Sequence, residues 1–259
     1  MPIYSHSRLS AFEQCRLKFK FRYIDKIEPD FKETIESFLG KQVHKTLEWV
    51  YNNSGDLELD DVIKNFIESW NNELDPNIKI IKEGQTIEIF FNKGIKFLID
   101  YFLKNSPFKD NTIATEKRIF INLDFEGKYR LMGFIDRVVH NRDTNIFEIH
   151  DYKTGAIKSQ NELDKDRQLA LYSIAIRENF DNVEEVDLIW HFLGHNKVIK
   201  SRRTLEQLEN LKKEIKELID KIESTQDFYP KTGPLCNWCG YQSKCPAFQE
   251  YKGQTKFNK

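Results

Sequence analysis

Arg130-Leu-Met-Gly133-Phe-Ile-Asp136-Arg-Val-Val139 is followed, past a turn at Asn141 to Asn145, by Ile146-Phe-Glu-Ile-His-Asp151-Tyr-Lys153-Thr-Gly155. Both segments are rich in β-branched and aromatic residues and are bounded by turn formers, so they read as neighbouring strands. Side chains alternate along a strand, which points Asp151 and Lys153 to one face. By the same alternation Asp136 shares a face with Met132, Phe134 and Val138. A carboxylate on an apolar face is costly unless it is paired or holds a cation. Two adjacent strands therefore predict one cluster of Asp136, Asp151 and Lys153.

Working outward, the segment from Thr112 to Val139 reads as two strands around Glu126-Gly127-Lys128, with Ile146 to Tyr152 as a third. Leu163 to Asn179 has helical spacing. Val186 to Leu193 and Val198 to Arg203 form a further strand pair around Gly194-His195-Asn196, and Thr204 caps a charged helix to Glu223. Upstream the chain is helical. Ser7 is placed as the cap of a helix to Asp25. Further helices are expected over Lys32 to Tyr51, broken at Ser54-Gly55-Asp56, over Leu59 to Leu74, and over Thr86 to Leu103. The whole is an α/β chain with a central mixed sheet flanked by helices, an N-terminal helical region and an irregular, Cys-rich C-terminal segment that meets the N-terminus. It divides into 1–31, 32–110, 111–225 and 226–259 within a single domain.

With 259 residues, 39% of them hydrophobic, the chain is long enough for a core without crosslinks, and disorder is excluded. Lys and Arg total 40 against 41 Asp and Glu, so any nucleic-acid surface must be a local patch. No apolar run approaches a membrane span, and the first residues lack a signal-peptide pattern, so a cytoplasmic location and no membrane partner are expected.

The strand cluster suits metal-assisted phosphodiester hydrolysis. Two carboxylates are hard-oxygen ligands for Mg²⁺ or Mn²⁺. A bound cation polarises a phosphate and lowers the pKa of water, and a lysine beside it orients that water or offsets developing charge. The same residues also read as a surface salt bridge on an edge strand. Cys236, Cys239 and Cys245 crowd together and Cys15 stands alone, which in a chain without an export signal favours metal ligation over disulfides. Zinc sites usually use two close pairs, iron–sulfur clusters also take four cysteines, and unligated thiols stay open as a reading.

Gly133 to Asp136, Asp151 to Gly155, and Gln168-Leu-Ala-Leu-Tyr172 together resemble the PD-(D/E)XK nuclease superfamily, in its RecB- and AddB-like iron–sulfur branch, which is similar to the CRISPR-adaptation exonucleases. The opening Tyr4-Ser-His-Ser-Arg-Leu-Ser-Ala-Phe-Glu-Gln-Cys15 and Gly40-Lys-Gln-Val-His44 fit that resemblance. It implies a restriction-endonuclease-like core and a divalent metal held by His44, Asp136, Asp151 and the Tyr152 carbonyl. It also implies Lys153 as the catalytic lysine, with Gln168 and Tyr172 holding the active site and DNA. Glu116 ranks well below these as a supporting acid. His6, His140, His150, His191 and His195 receive no role. The resemblance further implies a structural [4Fe–4S] cluster on Cys15, Cys236, Cys239 and Cys245.

Basic sets recur at Arg16, Lys18, Lys20 and Arg22, interleaved with Phe19, Phe21 and Tyr23, at Lys117 and Arg118, and at Lys197, Lys200, Arg202 and Arg203. They are candidate phosphate and base contacts. The resulting expectation is a metal-dependent DNA exonuclease acting on single strands or ends, with partners in repair, recombination or CRISPR adaptation. The rivals are a catalytically silent DNA-end binding module and a zinc-clasped partner protein.

Overall fold

The computed structural model describes residues 2–53, 55–248 and 250. The break expected at Ser54 and the last positions of the tail, 251–259, lie outside the described residues. Five strands form one mixed sheet in the order β1-β2-β3-β4-β5. They are β1 Thr112–Asn122, β2 Arg130–Asn141, β3 Ile146–Lys153, β4 Glu185–Phe192 and β5 Lys197–Ser201. β1, β2 and β3 are a meander, with β2 antiparallel to both neighbours. β3 and β4 run parallel, and β5 returns antiparallel along β4. A parallel pair needs a crossover. Here it is made by α6 Gln160–Asp164 and α7 Gln168–Asn179.

Helices cover the sheet from two sides. Leu9, Phe12 and Phe19 from the N-terminal segment, Leu169, Ala170 and Ile174 of α7, and Leu208, Ile215 and Ile219 of α8 (Leu205–Ser224) bury one face with Ile135, Ile149, Leu188 and Trp190. α3 Ile35–Asn52, α4 Leu59–Glu73 and α5 Ile87–Asn105 build a second core around Phe38, Val43, Phe66, Trp70 and Leu98. That core continues into Tyr152 of β3 and Leu193 after β4. The upstream helices thus pack directly behind the strand that carries Asp151 and Lys153.

Caps explain most boundaries. Thr34, Thr86 and Thr204 each accept the N–H three residues on, and Gln207 closes a capping box with Thr204. The structure corrects four expectations. The first helix is capped by Ser5, not Ser7. It does not run through to Asp25: α1 is His6–Gln14, Cys15 is extended at φ −162°, α2 restarts at Arg16–Phe19, and a wider π turn follows at Lys20–Ile24. Periodicity could not show this, because Phe12 and Phe19 stay buried on either side of the break. The second helix begins after Thr34 rather than at Lys32. The crossover is two helices rather than one, because Ser159 caps α6 through a box with Glu162 and the chain turns again before Gln168.

Gly94 of α5 is required by packing. A Cβ there would stand 2.3 Å from Cζ of Phe66. We expect Gly94→Ala to strain the α4–α5 contact by about 1–3 kcal/mol, outweighing the roughly 1 kcal/mol that alanine's helix propensity offsets. A lower urea midpoint at unchanged m-value is the readout.

Candidate active site

The β2–β3 ladder runs from Asn141 opposite Ile146 to Arg137 opposite His150 and stops there. The next donor, the Tyr152 N–H, goes instead to Oδ2 of Asp136 at 2.8 Å. A carboxylate therefore stands where strand pairing gives out. Asp151, the neighbour of that N–H, is buried. Lys153 Nζ donates to its Oδ1 at 2.9 Å and lies 2.7 Å from Oδ2 without hydrogen-bond alignment. Oδ2 of Asp151 is a buried oxygen with no hydrogen-bond partner among the described residues. Nζ of Lys153 also donates to Oε1 of Gln168, the first residue of α7, at 3.1 Å.

His44 reaches this point from α3. Its Nε2 lies 2.7 Å from the Tyr152 carbonyl oxygen and its Nδ1 3.4 Å from Oδ2 of Asp136. Two acceptors on one ring favour the doubly protonated imidazolium. Burial works against that charge, but Asp136, Asp151 and the Tyr152 carbonyl outweigh it and push the pKa up to about 9. Asp136 is held below the usual carboxylate range, because His44, the Tyr152 N–H and Lys153 outweigh the effect of its burial. Asp151 moves the other way, to about 6, through burial opposed by Lys153 and reinforced by Asp136.

Glu116 joins them from β1. It carries φ 41°, a left-handed backbone inside a strand. One ligand atom from each of His44, Glu116 and Asp136 lies within 4.8 Å of the others, which makes this the only group of three metal-ligating side chains found that close together among the described residues. Burial and the nearby Asp136 raise the Glu116 carboxyl to about 7. Sequence reasoning ranked Glu116 low because the backbone twist that aims it is invisible in a strand pattern. Asp151 lies outside that tight triad and is tied to it through Lys153 and the Tyr152 main chain. A hard cation fits this set once the His44 ring gives up a proton, since the donors are then oxygens and a neutral imidazole.

Gln168 and Tyr172 share a face of α7 and are hydrogen-bonded to each other. The Tyr172 ring lies under Gly133, where a Cβ would come within 2.4 Å of Cε1. Tyr172 therefore braces β2 from beneath, while Gln168 reaches Lys153. The apolar face expected around Asp136 is more open than the sequence suggests. Met132 is half-buried and Phe134 exposed, while Val138 is buried, as are Leu131, Gly133, Ile135, Arg137 and Val139 of the same strand.

Behind the site is a polar core that sequence reasoning missed. Arg137, 2% exposed, donates from Nε to the Tyr152 hydroxyl at 2.9 Å and from Nη2 to Nδ1 of His150 at 2.9 Å. It also pairs with Asp110 and lies over the Tyr51 ring, 4.0 Å from its centroid. The Tyr152 hydroxyl meets that of Tyr101, and Nδ1 of His150 lies 2.8 Å from Nε2 of His191. Burial and Arg137 keep His150 well below its ordinary pKa, so it is neutral. Strand alternation does not announce it: Ile135, two residues before Arg137, packs in the other core.

The four cysteines meet around one cavity of about 230 Å³ that is also lined by Leu17, Phe21 and Phe248. The tail, expected to lack structure of its own, has single 3₁₀ turns at Pro234–Trp238 and Gln242–Lys244. Asp30 accepts from the Ser243 N–H and from Lys244 Nζ, each at 2.9 Å, and its own N–H goes to the Gly240 carbonyl. The basic sets divide. Phe19 is buried in the main core, Phe21 packs on Tyr241 and lines the cysteine cavity with Lys18, Arg16 lies over Phe12, Lys20 pairs with Asp25, and Arg22 lies over Tyr23. Arg202 is engaged by Asp187 and Glu185, and Arg203 by the carbonyls of Leu163 and Asp166. These two are internal ties.

The family model of the PD-(D/E)XK nuclease superfamily matches residues 3–246. The chain belongs to this superfamily. Nucleases of this superfamily use divalent metals, in keeping with the oxygen-rich cluster between β1, β2, β3 and α3. Among solved structures, a protein from Eubacterium rectale named provisionally as an exonuclease is similar over 92% of this chain and 86% of its own, with a TM-score of 0.52 at 13% identity, which shows the shared superfamily fold. The structure of SSO0001 aligns over 82% of this chain and 97% of its own, with a TM-score of 0.41 at 17% identity. No curated protein matches the chain in sequence. No helix among the described residues is long and apolar enough to cross a membrane.

We expect Arg137→Met to cost about 1.5–3 kcal/mol, the usual worth of hydrogen bonds to a charged group, and to loosen the Tyr152 main chain as well. Chemical denaturation, with amide exchange at Tyr152, checks both.

Proposed function

We propose that this chain is a DNA exonuclease of the RecB-like branch, acting on single strands or strand ends in repair, recombination or CRISPR adaptation. The observation that carries the nuclease reading is the close group of His44, Glu116 and Asp136, with the buried Asp151 carboxylate ion-paired to Lys153 on the neighbouring strand. His44, Asp136, Asp151 and the Tyr152 carbonyl are the assigned ligands, with Glu116 added by its position. Bound there, Mg²⁺ or Mn²⁺ would polarise the scissile phosphate and activate a water. Asp136 and the Tyr152 main chain fix each other, so the ligands on β2 and β3 are held at a set separation before substrate arrives. Lys153, steadied by Asp151 and Gln168, offers a hydrogen-bond donor where negative charge develops on the phosphate oxygens. Tyr172 supports β2 from below and Gln168 keeps Lys153 in place.

The test is cleavage of end-labelled single-stranded and duplex DNA with Mg²⁺, Mn²⁺ or chelator. Chelator should abolish cleavage. Asp136→Asn and Asp151→Asn should each lower it by about 10³-fold or more, which corresponds to the several kcal/mol a metal contributes, while circular dichroism stays unchanged. Lys153→Ala should reduce turnover far more than DNA binding. Metal-independent cleavage, or full activity in either Asn variant, would refute the assignment.

Cys15, Cys236, Cys239 and Cys245 are assigned to a structural [4Fe–4S] cluster. Their convergence on one cavity from the two ends of the described chain supports a shared ligated group. Anaerobically purified protein should be brown with about four irons per chain, and Cys15→Ala should lose the colour and lower the melting temperature. A colourless protein with one stoichiometric zinc would overturn the cluster and leave the nuclease reading intact.

A further inference from the structure

Among the described residues, Phe120, Phe125 and Phe134 are the exposed phenylalanines, and all three lie on the β1–β2 hairpin. The chain has 20 Phe in all, so this concentration is not the scatter expected of a surface. Phe120 is 46% and Phe134 48% exposed, and Phe125 at the hairpin tip is fully exposed. Arg118 is opposite Phe134, and Phe120 opposite Met132. Opposed residues of an antiparallel pair point to one face. Along β1 that face carries Arg118 and Phe120, and along β2 Phe134 and Met132; next along the strands come Glu116, with its left-handed backbone, and Asp136, which meet in the metal-ligating group. The strip therefore begins at the Glu116 and Asp136 carboxylates and runs to the hairpin tip, in steps of about 7 Å per two residues.

Its chemistry is apolar and cationic at once. The Arg118 guanidinium lies 4.8 Å from the centroid of Phe120, and no carboxylate pairs with it among the described residues. Arg202 and Arg203, by contrast, are engaged within the fold. Flat rings spaced along a strand, with a guanidinium among them that no carboxylate neutralises among the described residues, suit a polymer of aromatic bases and phosphates. A blunt duplex offers no base faces to such rings, whereas an unpaired strand does.

We propose that the outer face of the β1–β2 hairpin binds the unpaired strand of a DNA substrate adjacent to the metal cluster, with bases stacked on Phe134 and Phe120 and a phosphate on Arg118. This rests on the nuclease reading above and makes the preference for unpaired strands a property of that face. A protein partner or a second copy of the chain would be served by the apolar rings, but not by their continuity with the carboxylate cluster.

The test uses full-length protein carrying Asp151→Asn to prevent cleavage. Binding is measured to three DNAs: a single strand, the same strand with abasic sites in its interior, and a blunt duplex. Phe120→Ala and Phe134→Ala should each weaken the intact strand roughly 5- to 100-fold and leave abasic-strand and duplex affinities unchanged. Arg118→Ala should weaken intact and abasic strands alike and flatten the salt dependence. Equal affinity of the Phe variants for the intact strand, an equal loss on intact and abasic strands, or no binding of any DNA by the parent chain would overturn the proposal. Cleavage by the chain with Asp151 in place is assayed separately on the intact strand. Cleavage that persists while the Phe variants bind normally removes this surface alone. Its absence with metal removes the nuclease reading instead.

Discussion

The Tyr152 N–H is donated to a side chain, Oδ2 of Asp136, rather than to a strand neighbour. This bond terminates the β2–β3 ladder and opens the two strands at the point where Asp151 and Lys153 emerge. Had the ladder continued, the strands would have left no recess for a cation or a phosphate. The side chain of Tyr152 points the other way and is gripped by Arg137 and Tyr101, so one residue is fixed from both sides of the sheet. The carboxylates are costly in this setting, and the ammonium of Lys153 and the His44 ring offset that cost while no cation is bound.

Much of this was legible in the sequence because it depends on period and spacing. Alternation alone places Asp151 beside Lys153, and the i, i+4 rule joins Gln168 to Tyr172. Cap residues such as Thr86 and Thr204 fix helix starts to within a residue or two. What escaped are features that depend on one backbone angle or one distant partner. The break at Cys15 hides inside unbroken apolar periodicity. The aim of Glu116 comes from a positive φ that no residue type announces. Arg137 is conspicuous only once its burial among Tyr51, Tyr101, Tyr152 and His150 is seen. Of the basic residues, Arg202 and Arg203 are tied within the fold, and this escaped because charge is visible in a sequence but its partners, such as Asp187 for Arg202, are not.

The segments at the two ends of the described chain meet around the cysteine cavity. Asp30 ties the loop after the first helices to Ser243 and Lys244, and the Lys231 N–H approaches the Cys15 sulfur. The extended backbone at Cys15 makes this possible, because it interrupts α1 and α2 where the tail arrives. The same interruption that defeats a helix reading therefore serves the junction of the segments.

The crossover between β3 and β4 has a consequence for assembly. Lys153 ends the strand that enters it, and Gln168, its partner, opens the helix that leaves it. His44, Glu116, Asp136 and Asp151 come from four different elements. Asp151 and Lys153 are two residues apart, but His44 lies 108 residues from the Tyr152 carbonyl that it meets, and that contact closes a long loop of chain. Such contacts recover their entropy cost only late in folding. The docking of His44 against β3 therefore depends on the helices and the sheet coming together, while the Asp151–Lys153 pair is set by its own strand.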